Sequence, residues 1–199
     1  MTKAVEFYFD VGSPAAYLAW VQLPKIVQET RSEIEYRPFL VGGVFQATGN
    51  RSPMEVPAKG QYMQDDLQRF ARRYCVPFRH NPHFPLNTLA LMRMVLGLQL
   101  REPQRMGPFV DAVYRAMWVE GRNMNDPAVV TSVLQQAGFE PEKMLALAND
   151  AAIKDDLKAA TQEAVARGVF GAPTFFVGGE MFWGQDRLDF VKEALEAQA

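Results

Sequence analysis

One cysteine and two histidines in 199 residues leave little material for thiol-disulfide or metal chemistry. Cys75 stands alone, so no intrachain disulfide and no Cys-x-x-Cys pair can form. His80 and His83 fall in Phe78-Arg79-His80-Asn81-Pro82-His83-Phe84-Pro85, where the prolines break any helix that would align the imidazoles. With no thiol or carboxylate beside them, a zinc site is not expected, and a solvated or cleft-lining loop is. No apolar run approaches the ~18 residues that span a bilayer. Glu6 interrupts the first apolar stretch before a secretory core could form, so the reading is a soluble cytoplasmic chain. Neither charge dominates: 21 Lys and Arg against 23 Asp and Glu give a net charge of −2. Such a surface offers nucleic acid or an anionic membrane no attractive field.

What is present is ordinary for a folded domain, with 48% hydrophobic and 22% charged residues. The length suits one domain, or one carrying a large insertion. Strands are expected over residues 5–10 and 33–39, with a helix from Pro14 to about residue 28 between them. Apolar residues at three- and four-residue spacing then predict helices over 62–74, 88–100, 108–118, 127–137 and 141–148. Prolines at several starts and Gly138 supply punctuation. A helix over 155–167 ends at Gly168, and Phe175-Phe176-Val177, Gly178-Gly179 and Met181-Phe182-Trp183 read as a hairpin. Gly184-Gln185-Asp186 opens the last helix.

Two places carry candidate chemistry. A strand ending Phe9-Asp10-Val11-Gly12 runs into Ser13-Pro14, so a hydroxyl sits at a helix start, where unpaired N–H groups and the macrodipole favour an anion. By local pattern Ser13 is also simply an N-cap with Pro14 at the first helical position. At the other end, Gly171-Ala172-Pro173-Thr174 leads into the hairpin as a turn, and Asp186 is a preferred N-cap. Asn50 reads as a turn residue and Lys59 as a solvated charge. Trp118 falls on an apolar helix stripe with Phe109 and Val113, which places it in the core unless it faces a groove. Cys75, before Val76-Pro77, reads as a small buried hydrophobe.

These features together resemble the family of 2-hydroxychromene-2-carboxylate isomerases and kappa-class glutathione transferases, on Phe9-Asp10, Ser13-Pro14, Gly49-Asn50, Pro173 and Gly184-Gln185-Asp186. The resemblance implies an α/β, thioredoxin-like fold with a large all-helical insertion: residues 1–40 and 153–199 form the thioredoxin-like part, 41–152 the inserted helical subdomain. Pro173 takes the place where that family carries a cis proline. Ser13 and Ala16 occupy the positions of the dithiol in redox relatives, so the chain itself performs no redox chemistry. Glutathione is the implied cofactor, its thiolate held by the catalytic Ser13 hydroxyl. Ala172 and Pro173 would pair with the cysteinyl backbone, Asn50 and Lys59 would reach the peptide and glycyl carboxylate, and Trp183, Gly184, Gln185 and Asp186 would take the γ-glutamyl end. The implied reaction is reversible thiolate addition to a conjugated substrate, rotation about the former double bond, and elimination to a trans-benzylidenepyruvate. A kappa-like transferase that consumes glutathione, and a non-catalytic glutathione-binding module, are the alternatives. A small aromatic substrate and a homodimer are further implications. Two departures from the pattern bear on the substrate: Ala15-Ala16 leave a smaller surface where relatives tend to carry an aromatic and a hydroxyl, and the stretch 40–46 offers no basic residue to meet a substrate carboxylate.

Overall fold

The computed structural model describes residues 3–198, so residues 1–2 and 199 of the expected segments lie outside it. Four strands form one sheet: β1 (Ala4–Phe9), β2 (Glu33–Pro38), β3 (Thr174–Val177) and β4 (Glu180–Trp183), in the order β2-β1-β3-β4. β1 runs parallel to β2 and antiparallel to β3, and β3 turns back into β4. Alternation along β1 separates two apolar layers. Val5, Phe7 and Phe9 join the larger cluster, in which Phe7 stacks on Phe175 at 5.2 Å. Tyr8 joins Phe39, Val44, Ala164, Val169 and Phe176 on the other face.

Helix α1 (Pro14–Thr30) connects the parallel strands. Between β2 and β3 lie α2 (Val41–Thr48), α3 (Pro57–Tyr74), α4 (Leu89–Arg101), α5 (Pro103–Trp118), α6 (Pro127–Gln136), α7 (Pro141–Asn149) and α8 (Ala151–Ala166). A 3-10 turn over Gln185–Arg187 leads to the closing helix α9 (Leu188–Ala197).

The differences from expectation have identifiable causes. α5 starts at Pro103 and carries Pro108 in its interior, where the missing N–H leaves the Gln104 carbonyl without its helical donor. Burial of Met106, Phe109, Val110, Val113 and Met117 outweighs that local cost of about 3 kcal/mol. α8 starts at Ala151 instead of residue 155 because Asp150 caps the amides of Ala152 and Ile153. Apolar spacing does not single out α2, and its Gly42-Gly43 pair explains why. Its first amides find remote acceptors: Leu40 N–H donates to Thr161 Oγ1 (3.1 Å) and Val41 N–H to Asp10 Oδ2 (2.9 Å).

Trp118 is fully buried, and its indole N–H donates to the Val11 carbonyl at 2.9 Å. It therefore belongs to the core and does not face the groove. Trp118→Phe should orphan that carbonyl and lower the unfolding free energy by about 1–3 kcal/mol, read from urea denaturation with an unchanged m-value.

Candidate functional site

The strand-to-helix junction is tied down at every residue. Asp10 is fully buried; its Oδ1 accepts from the Gly12 amide at 2.8 Å, and its Oδ2 takes the start of α2. The Thr88 hydroxyl, at the start of α4, bonds to the same carboxylate. Burial pushes the Asp10 carboxyl above its ordinary value, while those three donors hold it down. Tyr114 nearby is also fully buried, and desolvation with the Asp10 charge raises its phenol well above the usual value. Gly12 has no room for a side chain, since a Cβ there would lie 2.8 Å from Thr88.

Ser13 follows in extended conformation as the N-cap of α1. Its Oγ accepts from the Ala16 amide (3.2 Å) and donates to the Ala172 carbonyl (2.8 Å). That second bond joins chain positions 159 residues apart and fixes the hydroxyl against the Pro173 turn. The Ala172–Pro173 peptide is cis, as is Phe84–Pro85, for which no local pattern offers a sign. The resemblance has Ala172 offering both its N–H and its C=O to a ligand, yet its carbonyl is bonded to Ser13 because that hydroxyl lies directly opposite.

The other candidate residues converge on the same opening, a cleft of about 1240 Å³ lined by Ser13, Asn50, Lys59, Ala172, Pro173, Trp183, Gly184, Gln185 and Asp186. Asn50 spans the mouth: its Nδ2 donates to the Phe170 carbonyl (2.8 Å) and its Oδ1 accepts from the Arg51 amide (2.8 Å). Lys59 lies in the first turn of α3, whose residues 59, 62, 63, 66 and 67 share one face and form a wall. Trp183 is 47% exposed, with its ring 5.0 Å from Phe170. Gln185 is buried, and Tyr74 at the far end of α3 donates to its Oε1 at 3.0 Å. Desolvation raises the Tyr74 phenol to about 12, so it remains a donor. Gly184 adopts φ 99°, and a Cβ there would collide with Asp186.

Two expectations are corrected. Asp186 caps no helix; it lies within the 3-10 turn, α9 begins two residues later, and its carboxylate pairs with Arg187. The intervening turn displaces the helix start. Cys75 is exposed, not a buried hydrophobe, because it terminates α3 in the left-handed conformation at φ 56° and the chain reverses there at the surface. His80 lines the cleft, whereas His83 is exposed. Among the described residues, no three His, Cys, Asp or Glu side chains gather into a potential metal site, and no helix is long and apolar enough to cross a membrane.

Sequence reasoning missed the work of Asp10, noted only within a motif, although a lone carboxylate ending an apolar strand before Gly-Ser-Pro was visible. It also missed Tyr74 and the apolar wall of Phe45, Met54, Met63 and Phe84, which nonadjacent segments assemble.

Residues 4–196 match the DSBA-like thioredoxin domain family. A 2-hydroxychromene-2-carboxylate isomerase of Sphingobium xenophagum is 35% identical over 98% of this chain and 99% of that protein. Human glutathione S-transferase kappa 1 is 26% identical over 98% and 92%. A solved structure of 2-hydroxychromene-2-carboxylate isomerase superposes with a TM-score of 0.83 at 30% identity, covering 98% of this chain and 95% of the other.

The raised Asp10 carboxyl gives a signed pH prediction. Its contribution is fully present below the ordinary value of 3.8 and is lost as pH rises through the raised folded value, because ionising the buried group is penalised. Asn at this position would turn its NH2 group toward one of the two amide N–H groups that Asp10 meets, a donor facing a donor at every pH. Asp10→Asn should therefore destabilise the protein throughout, and the stability gap between parent and variant should narrow as pH rises through that window. Denaturant midpoints at a series of pH values measure it, and a flat gap would contradict the assignment.

Proposed function

Because this chain belongs to the DSBA-like thioredoxin domain family, and within it to the 2-hydroxychromene-2-carboxylate isomerases and their kappa-class glutathione transferase relatives, we propose that it is a glutathione-dependent isomerase of small aromatic substrates. The observation that carries the reading is the Ser13 hydroxyl at the N-cap of α1, set against the residue before the cis proline at the floor of the cleft. The site lacks any thiol of its own, as Cys75 does not line it.

The residues present suit a bound tripeptide thiol. Ser13 has one hydroxyl hydrogen, directed at the Ala172 carbonyl. Turning it toward a sulfur releases that carbonyl to accept a cysteinyl amide, while the Ala172 N–H donates to the cysteinyl carbonyl as in a two-residue β-ladder. One hydrogen bond is thus exchanged for several. A hydroxyl donating to a thiolate at a helix N-terminus favours the ionised sulfur by roughly 1.5–3 kcal/mol, about one to two pKa units. Lys59 and Asn50 would meet the glycyl end, and Trp183, the amides of Gln185 and Asp186 and the Asp186 carboxylate the γ-glutamyl end. Bound glutathione supplies the nucleophilic sulfur that adds reversibly to a conjugated double bond.

The rest of the cleft is apolar, with Leu40, Val41, Phe45, Met54, Met63 and Phe84 walling a space suited to a flat ring. The same reading covers the division into a thioredoxin-like part (1–40, 153–199) and a helical insertion (41–152), and a cytoplasmic homodimer working in aromatic catabolism. A transferase would share the glutathione site and differ in consuming the thiol; a non-catalytic module would bind it without either outcome.

Calorimetry should detect glutathione at millimolar concentration or below, and turnover of 2-hydroxychromene-2-carboxylate should leave free thiol constant. Absence of binding would sink the reading, and thiol loss would favour the transferase. Ser13→Ala should raise the pKa of the bound thiol by about one to two units and cut turnover more than affinity. Since Asp186 caps no helix, Asp186→Asn should leave the melting temperature near that of the parent while weakening glutathione binding; unchanged binding would misplace the γ-glutamyl end.

A further inference from the structure

His80 is the one group lining the cleft, among the described residues, that carries a buried polar atom with no hydrogen-bond partner. Its Nδ1 is sealed from solvent, and Nε2 is the ring nitrogen that is not. The backbone on both sides is clamped to the end of α5. Arg79 N–H donates to the Trp118 carbonyl (2.7 Å), and the buried Asn81 side chain donates to the carbonyls of Met117 and Arg122 (2.9 Å each). Asn81 Oδ1 also accepts from the His83 amide at 2.9 Å. The imidazole rests 6.0 Å from the Phe84 ring, Phe84 lies 6.0 Å from Trp118, and Trp118 holds the Val11 carbonyl two residues before Ser13. The segment that carries this side chain is thus fixed beside the cleft.

Burial holds the imidazole below its usual pKa, so it is neutral at pH 7 and has one N–H. Buried donors without an acceptor are rarer than under-satisfied acceptors, which favours the hydrogen on Nε2 and the bare lone pair on Nδ1. Of the polar side chains that line the cleft just after Phe84, Thr88 is committed to Asp10 and the Asn87 oxygen to the Leu89 amide.

We propose that His80 donates through Nε2–H to the carbonyl oxygen of an aromatic 2-oxo acid substrate, the oxygen that gains electron density when the conjugated double bond is attacked. This rests on the isomerase reading. The hydrogen stays on Nε2 before, during and after, so no proton is consumed or released. A neutral imidazole is well matched to such a role, because it polarises the oxygen without surrendering a proton.

With only two histidines, side-chain nitrogen NMR of uniformly ¹⁵N-labelled protein resolves them, and His80→Phe assigns the signals. Adding trans-benzylidenepyruvate without glutathione should shift the His80 Nε2 resonance and leave His83 in place. In His80→Phe the affinity for this acid should fall about 5- to 10-fold, the equivalent of one lost hydrogen bond, with glutathione affinity unchanged. His80→Asn, which keeps a side-chain N–H, should recover part of the loss and serves if the phenylalanine variant does not fold. An unmoved His80 resonance, or equal acid affinity in the variants and the parent, overturns the proposal. The two readings fail separately: absence of glutathione binding to the parent counts against the isomerase, while the acid titration still decides His80.

Discussion

A single buried carboxylate holds the architecture of the cleft together. Asp10 accepts from the amide of Gly12 before α1, from the amide of Val41 at the start of α2, and from Thr88 at the start of α4. Three helices thereby begin around one side chain, and the segments that carry these donors all contribute to the cleft. A charge in this position is unfavourable unless its oxygens are saturated. Burial and bonding therefore act as one constraint: the carboxylate is tolerable only while all three segments are in place. The Ser13 hydroxyl, three residues along, inherits its position from this arrangement.

The second constraint runs across the fold. Ser13 reaches the Ala172 carbonyl, Gly184 donates to the Pro173 carbonyl, and Asn50 reaches the Phe170 carbonyl. Each bond fastens a different segment to the short stretch before β3. That stretch has no regular structure of its own, so its geometry is set by these donors. A ligand offering an equivalent donor can replace one of these bonds at small net cost.

Local pattern made much of this legible. The alternation in β1, the Ser13-Pro14 cap and the Gly178-Gly179 hairpin follow short-range rules, and the structure contains them at or within a residue of the expected bounds. Residue motifs quoted for the family, Pro173 among them, mark segments that do meet at one cleft. Illegible were features whose partners are distant in sequence. α2 carries Gly42-Gly43 and is capped from Asp10 and Thr161, so nothing nearby announces it. Pro108 looks like a helix start, yet α5 runs through it because its buried face continues on both sides. Asp186 looks like a cap, yet a 3-10 turn intervenes. Cys75 turns outward because of one left-handed residue that composition cannot reveal.

Helix α3 has a mechanical consequence. Lys59 stands in its first turn and Tyr74 is its last residue, about 22 Å apart along one continuous helix at 1.5 Å per residue. The first lines the cleft; the second donates to Gln185, which also lines it. A stiff rod therefore links a cleft-lining lysine to the residue that holds Gln185, and Tyr62, Met63 and Leu67, which lie between the two along the helix, line the cleft. Tilting it would move Lys59 and the Tyr74–Gln185 bond at once, so the width of the cleft and the position of the turn that carries Gln185 behave as one variable. Widening of the cleft without disturbing the Tyr74–Gln185 bond must then come from side-chain truncation on the cleft-facing side of α3, at Met63 for instance, and not from repositioning the helix.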